Sequence, residues 1–375
     1  MNRLRKLAAI AAACMAMAFA LALTGCASTQ NVDSAGSSVE SGTTVITDAY
    51  NRSVKLPSEV KTVATVGSGA RFVVYAGAQN KLIAVTEMET EASPARPYTM
   101  AYSDLFAGLP ATSNGNHLME TTVNTEQLLA LAPDVIISSR SASECDDLQA
   151  AIGIPVVGIS YQDQLFSDDV YTSIEVVGKA CDTSEHAAQV VDKMKEWEAD
   201  LTERASKVSD AEKPSVYVGA VNYKGAKSFG GTYAHYAPLD VLKALNVADE
   251  TGHIGSVEVE LEQIGVWDPD YMFLNMGNIN LMKQDYANNQ EFFDNLAAFK
   301  SGNLYSQPSF NYNGTNVEMG ICDTYFIGMT IYPKQFGDID PAKKYAEVFE
   351  TMLGTNYYET LKSNGIDFKQ VKITL

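Results

Sequence analysis

The chain has 375 residues, 46% of them hydrophobic, which is enough for a large buried core and more than one lobe. Its formal net charge of −19 excludes the basic surface needed to hold a nucleic-acid phosphate backbone. Five cysteines are too few for a disulfide scaffold.

Residues 1–26 read as an export signal. Arg3, Arg5 and Lys6 make a basic start, an apolar run extends from Leu7 to Leu23, and "LTGC" ends at Cys26. A run of that length suffices to span a bilayer. Small residues directly before a cysteine instead mark a bacterial lipoprotein signal, in which Cys26 takes the lipid and becomes the new N-terminus. Residues 27–44 are mostly Ser, Thr and Gly with almost no apolar content, and read as a flexible tether. No second hydrophobic span follows, so the expected arrangement is an exported folded part, lipid-anchored at the outer face of the cell membrane or periplasmic. Cys14 leaves with the signal, while Cys145, Cys181 and Cys322 stay in the fold. An odd number leaves at least one unpaired, and buried free thiols are expected.

Residues 45–165 read as a first α/β lobe. "VITDAYNRSVKLP" alternates around Asn51 as a hairpin does, and "VKTVATV" is a strand that ends in "GSGAR" at Gly67–Arg71. Such a glycine loop at a helix start serves as an anion site or as a plain tight turn. "FVVYAGA" is the next helix and "KLIAVT" the next strand. Residues 87–109 are too irregular for a core element, and a loop of this kind after a strand lines a ligand cleft in many α/β folds. "NTEQLLALAPDVII" is a short helix, a Pro-Asp turn and a strand; its helix should end near Ala132, because a residue before proline leaves the helical region. Leu128, Leu129 and Leu131 offer one apolar face. "LQAAIGIPVVGIS" adds another helix and strand.

Residues 166–210 form a connecting segment. Its main feature is a helix from about Ser184 to Val208, with Val190, Met194, Trp197, Leu201 and Val208 on one face and Asp182 and Glu185 placed as an N-terminal cap. Residues 211–375 repeat the grammar of strand, glycine-rich loop and helix. There "LEQIGVWDPDYMFL" echoes the earlier unit, with Ile264, Val266 and Trp267 as its apolar face. Glu126 and Glu262 are 136 positions apart, and so are Gln127 and Gln263, Pro133 and Pro269, and Asp134 and Asp270. "DTYFIGMTIYP" and "DPAKKYAEVFETMLG" supply two later helices. The fold class is therefore α/β, with two similar lobes joined by one long helix and a ligand cleft between them.

Taken together, "TDAYNRSVKLP", "NTEQLLALAPDVII", "GIPVVGI", the connecting helix, "LEQIGVWDPD" and "YPKQFGDIDP" resemble, over nearly the whole exported chain, the solute-binding lipoproteins of ABC importers for ferric siderophores, haem and vitamin B12. The resemblance implies a monomer that captures an iron or cobalt chelate, has no resident cofactor, and delivers its ligand to permease subunits driven by an ATPase. It also implies that Glu126 and Glu262 dock onto arginines of the two permease subunits. Members that bind vitamin B12 often pack a tryptophan against the macrocycle, and Trp197 and Trp267 are not placed for that.

Candidate ligand residues lie on loops at strand C-terminal ends: Arg71, Arg96, Tyr98, Tyr102 and Arg140 in the first lobe, and Tyr223, Lys224, Lys227, Tyr233, His235 and Tyr236 in the second. Tyrosine offers a flat apolar face and a hydroxyl, which suits a planar chelate, and lysine suits ligand carboxylates. The four histidines are scattered, so a bare-ion site is a poorer fit than a chelate whose metal already has its donors. No nucleophile-elbow, zinc-protease or phosphate-loop motif is present, so no enzymatic activity is expected. A surface-anchored sensor or adhesin on the same fold is the alternative; only docking to a permease requires the glutamate pair.

Overall fold

The computed structural model describes residues 42–114, 122–161, 164–222, 224–312 and 314–374. The expected signal and nearly all of the expected tether, with Cys26, lie outside these residues, as does Tyr223. No helix of the described residues is long and apolar enough to cross a membrane.

The first lobe opens with a hairpin, β1 (Thr43–Thr47) and β2 (Ser53–Pro57), whose turn carries Asn51 at φ 61°. Strand β3 (Val63–Val66) leads into helix α1 (Gly69–Tyr75), and β4 (Leu82–Ala84) follows. A small pair, β5 (Ser113–Asn114) and β6 (Thr122–Val123), precedes α2 (Thr125–Leu131), β7 (Val135–Ser138), α3 (Ala142–Ile152) and β8 (Val156–Gly158). The parallel sheet runs β4-β3-β7-β8.

Two helices, α4 (Asp168–Ala180) and α5 (Ser184–Ser206), make the connection. They are joined by a tight turn in which Thr183 N–H donates to Gly178 O at 2.8 Å. At ~1.5 Å per residue the 23 residues of α5 span about 34 Å. Its expected apolar face is buried, including Trp197, whose ring N–H donates to Glu347 at 3.3 Å. The expected cap differs: Asp182 is left-handed at φ 56° and lies 3.6 Å from Lys81, and α5 has no side-chain cap.

The second lobe repeats the pattern with β9 (Ser215–Gly219), β10 (Gly231–Ala234), α6 (Ala237–Val241), β11 (Leu245–Asn246) and β12 (Gly255–Glu258). Then come α7 (Leu261–Trp267), β13 (Tyr271–Leu274), β14 (Leu304–Ser306), α8 (Val317–Ile331) and α9 (Pro341–Leu353). Its parallel sheet runs β11-β9-β13-β14, the same order as in the first lobe, and β10 and β12 form a separate antiparallel pair.

Strand periodicity decides where each side chain packs. In β7, Val135 and Ile137 face one apolar cluster and Ile136 the other; in β13, Phe273 faces one and Met272 and Leu274 the other. The outward faces build one cluster per lobe, around Leu128 in the first and Ile264 in the second. The inward faces share a single core that runs from Val63 and Ile137 through Phe72, Trp197 and Tyr325 to Val216 and Phe273. The two lobes are thus continuous in the interior, not merely linked at the surface.

The echoed segments fold alike. Each helix has seven residues and ends in a left-handed residue before proline, Ala132 at φ 45° and Asp268 at φ 41°. The helices stop where expected, but the stop is a left-handed cap, closed by N–H bonds from Ala132 to Leu128 O and from Asp268 to Ile264 O, both 2.9 Å. The next aspartate clamps the neighbouring strand. Asp134 accepts from the backbone of Lys61 and Thr62 at 2.8 and 2.9 Å, and Asp270 accepts from Ser215 N–H and Oγ–H, both at 2.8 Å.

Residues 87–109, expected as an irregular loop, instead hold a 3-10 turn and two short helices, Pro97–Ala101 and Ser103–Ala107. Their apolar and polar residues Tyr98, Phe106 and Glu89 are fully buried. Cys145, Cys181 and Cys322 are free and buried.

Candidate functional site

Parallel strands deliver their following loops to one edge of each sheet, which is where α/β folds bind ligands. In the second lobe the first polar residues beyond the strands are Asn222 after β9, Asn275 after β13 and Gln307 after β14. They line a cavity of about 650 Å³, together with Asn278, Tyr312 and Lys369, and Ala95 of the first lobe closes it. Asn278 is held by its own amide, which donates to Ala220 O at 2.9 Å and to Asn222 at 2.8 Å. A neighbouring space of about 20 Å³, room for one water, shares Asn275 and Gln307 and adds Tyr233 and Tyr236. Those two rings meet edge to face at 5.5 Å, and the Tyr236 hydroxyl accepts from Gln307. Asp367 and Lys369 are the charged residues of the larger lining, which is otherwise amide, hydroxyl and apolar.

A second polar cluster lies inside the first lobe. Arg71 is fully buried, donates to Tyr161 OH at 2.8 Å and stacks over Tyr98 at 4.7 Å. Tyr98 OH donates to Glu89 at 2.8 Å, and Tyr75 OH donates to Glu318 on α8 of the other lobe. Burial raises the pKa of Glu89 and of Glu318 above the usual carboxylate range, with these hydrogen bonds and Arg71 pulling the other way. The loop that carries Gly314 lies directly on this cluster. A Cβ on Gly314 would stand 2.8 Å from each of Ser68 Oγ, Arg71 Nη1 and Tyr161 OH.

The structure therefore separates the expected ligand residues. Arg71 and Tyr98 come together in the buried cluster, and Tyr233 and Tyr236 beside the small cavity. Arg96 is buried and donates to Glu91 O, and Tyr102 donates to Leu353 O at 2.6 Å, tying the lobes together. Arg140 pairs with Glu144 at 3.1 Å and Lys227 with Glu258 at 2.6 Å. Lys224 is exposed, and so is His235, which lies near Asp240 and Asp249. Of the described candidates, none lines the larger cavity. Its amides were missed because asparagine and glutamine carry no charge or aromatic ring to draw notice. A positional signal was present all the same: each is the first or nearly the first polar residue after a strand's apolar run.

Glu126 and Glu262 are both exposed in the first turns of α2 and α7, and no ion pair among the described residues includes either.

Comparison with known proteins adds sequence and fold relatives. A family model described as periplasmic binding protein matches residues 118–309. The chain is 26% identical over 256 residues to YvrC, an ABC transporter substrate-binding lipoprotein of Bacillus subtilis, covering 67% of this chain and 76% of YvrC. It is 21% identical over 336 residues to the molybdate-binding protein MolA of Haemophilus influenzae, covering 84% of this chain and 92% of MolA. A periplasmic solute-binding protein of Veillonella parvula superposes with a TM-score of 0.70 at 22% identity, over 86% of this chain and 96% of that one.

Proposed function

The chain belongs to the periplasmic binding protein family, and from that premise we propose that it is the lipid-anchored substrate-binding protein of an ABC importer that captures an iron or cobalt chelate and delivers it to a permease. The duplicated helix-to-strand unit carries the delivery step. Packing accounts for most of what is repeated: Leu128 and Ile264 fill the outward clusters, Pro133 and Pro269 are buried, and Asp134 and Asp270 clamp strands. Packing does not account for Glu126 and Glu262, which project from equivalent places on both lobes. One exposed ion pair contributes only ~0–1 kcal/mol. Two on one continuous core act together and orient the whole molecule against two subunits.

The chelate reading rests on the cavity. Its volume of about 650 Å³ falls in the range of small-molecule sites, ~300–1,000 Å³. No histidine or cysteine lines it, which favours a metal that arrives with its own donors. A bare oxyanion such as the molybdate of MolA fits this lining less well, because Lys369 is its single basic residue.

The test is charge reversal at both sites, Glu126→Lys with Glu262→Lys. Uptake should be lost, while the thermal shift given by haemin, cobinamide or a ferric siderophore stays as in the parent. A ligand at ~100 times its dissociation constant adds about 2.7 kcal/mol, enough to resolve such a shift. If affinity falls with uptake, or uptake persists, the docking role is wrong.

A further inference from the structure

Beyond the ligand cavity, one group of metal-donor side chains gathers on the second lobe. His235 occupies the turn between β10 and α6, Asp240 is on α6, and Asp249 is in the 3-10 turn Val247–Thr251. One donor atom from each, a ring nitrogen and two carboxylate oxygens, lies within 4.8 Å of the other two. His235 and Asp240 are exposed, so rotation of their side chains can close the remaining distance. Asp249 is fixed: its Oδ1 accepts from His235 N–H and from the amide of buried Asn246, both at 2.7 Å. That leaves its second oxygen for a ligand.

Charge points the same way. Among the described residues, neither Asp240 nor Asp249 is in an ion pair with lysine or arginine, although most charged side chains of α5 and α9 are paired. Two adjacent carboxylates and an imidazole without a compensating cation are a donor set that a divalent ion would neutralise.

We propose that His235, Asp240 and Asp249 bind a divalent first-row transition cation of the zinc or nickel kind, with water completing its coordination. Imidazole nitrogen favours these ions over calcium and magnesium, which take all-oxygen shells. The site is separate from the ligand cavity, which none of the three residues lines, and it does not depend on the chelate reading. It does connect to the small neighbouring space that Tyr233 and Tyr236 line. Tyr233 and Tyr236 flank His235 in sequence, and Asn246 also donates to Tyr233 O at 3.0 Å. A cation that clips the β10–α6 turn to the Val247–Thr251 turn would therefore steady the tyrosine wall and raise the melting temperature.

The experiment is calorimetric titration of the exported protein, free of any histidine tag and stripped with chelator, with Zn²⁺ and in parallel with Ca²⁺. One saturable Zn²⁺ per chain is expected, with little Ca²⁺ binding. His235→Ala and Asp240→Asn should each weaken Zn²⁺ binding by about tenfold or more, as loss of a ligand must exceed the effect of losing its outer-shell support. Both variants keep the Asn246–Asp249 bond, and their circular dichroism and ligand-free melting confirm the fold. Zn²⁺ should raise the melting temperature of the parent and of neither variant. Absence of one-site Zn²⁺ binding, or the same affinity in both variants, overturns the proposal.

Discussion

Asp134 and Asp270 show how one side chain at the head of a strand fixes the register of the strand beside it. Asp134 holds the start of β3 through Lys61 and Thr62, and its own N–H returns a bond to Thr62 O at 3.1 Å. Burial opposes its charge, yet the donated bonds outweigh burial and hold its pKa below the usual carboxylate value. A carboxylate lowered in the folded state stabilises fully above its unfolded value of ~3.9 and loses that contribution as pH falls through the folded value. Asp134→Ala should therefore cost about 1–2 kcal/mol near neutrality, toward the low end because Lys61 is exposed. The gap should narrow in acid. Urea midpoints of parent and variant, compared near neutral pH and at ~pH 3, check this; an unchanged gap would mean the charge is irrelevant. The sequence displays the Pro-Asp pair plainly. It does not display the partner, which lies 72 residues away in the chain and meets the carboxylate only because β3 and β7 pair in parallel.

At the scale of the element, α2 and α7 were legible as helices and their ends were placed correctly, but not their buried faces. The expected apolar faces named three residues in each, Leu128, Leu129 and Leu131 in α2 and Ile264, Val266 and Trp267 in α7. The structure buries Leu128 and Ile264 and leaves Leu129 52% and Val266 78% exposed. A helix of about two turns presents only a narrow row to the core: Leu128 and Ile264 are fully buried, Leu131 and Trp267 pack partly against the same clusters, and the position between stays in solvent. Leu128→Ala or Ile264→Ala should cost ~2–5 kcal/mol, as core truncations do. Leu129→Lys or Val266→Lys should stay within ~0.5 kcal/mol of the parent. Chemical denaturation of the four variants separates the two positions, and equal losses would refute the assignment of faces. The segment 87–109 fails in the opposite sense. Its mixture of aromatic and charged residues reads as an irregular cleft-lining loop outside the core, yet Glu89 finds Thr86 and Tyr98 as partners and so enters the interior. A buried polar group is tolerable only once its bonds are met, and those bonds form only on folding.

Across the whole molecule, the shared core decides how much the lobes can move. The connecting helix alone would limit bending, and the structure adds an apolar core common to both sheets, the Tyr75–Glu318 contact and the Tyr102–Leu353 bond. Wide domain closure would have to break packing at the centre of the protein, whereas hinged domains move about a few loop residues. Solution scattering with and without a bound chelate should give nearly the same radius of gyration, with ligand-dependent change confined to loops such as the one bearing Gly314. Strong contraction on binding would show that the core does not restrain the lobes.

By itself the sequence determined the α/β class, the two-lobe duplication, the connecting helix and the matched pair of glutamates at one register. These are properties of local pattern: apolar period, proline and glycine punctuation, and a repeat in fixed register. Only the tertiary structure decided that Arg71 and Tyr98 are interior, that asparagine and glutamine line the main cavity, and that His235 meets two aspartates at the surface. Each of those outcomes depends on which distant strand or helix becomes a neighbour, because a polar side chain's environment is set by the partners that folding brings to it and not by the residues beside it in the chain.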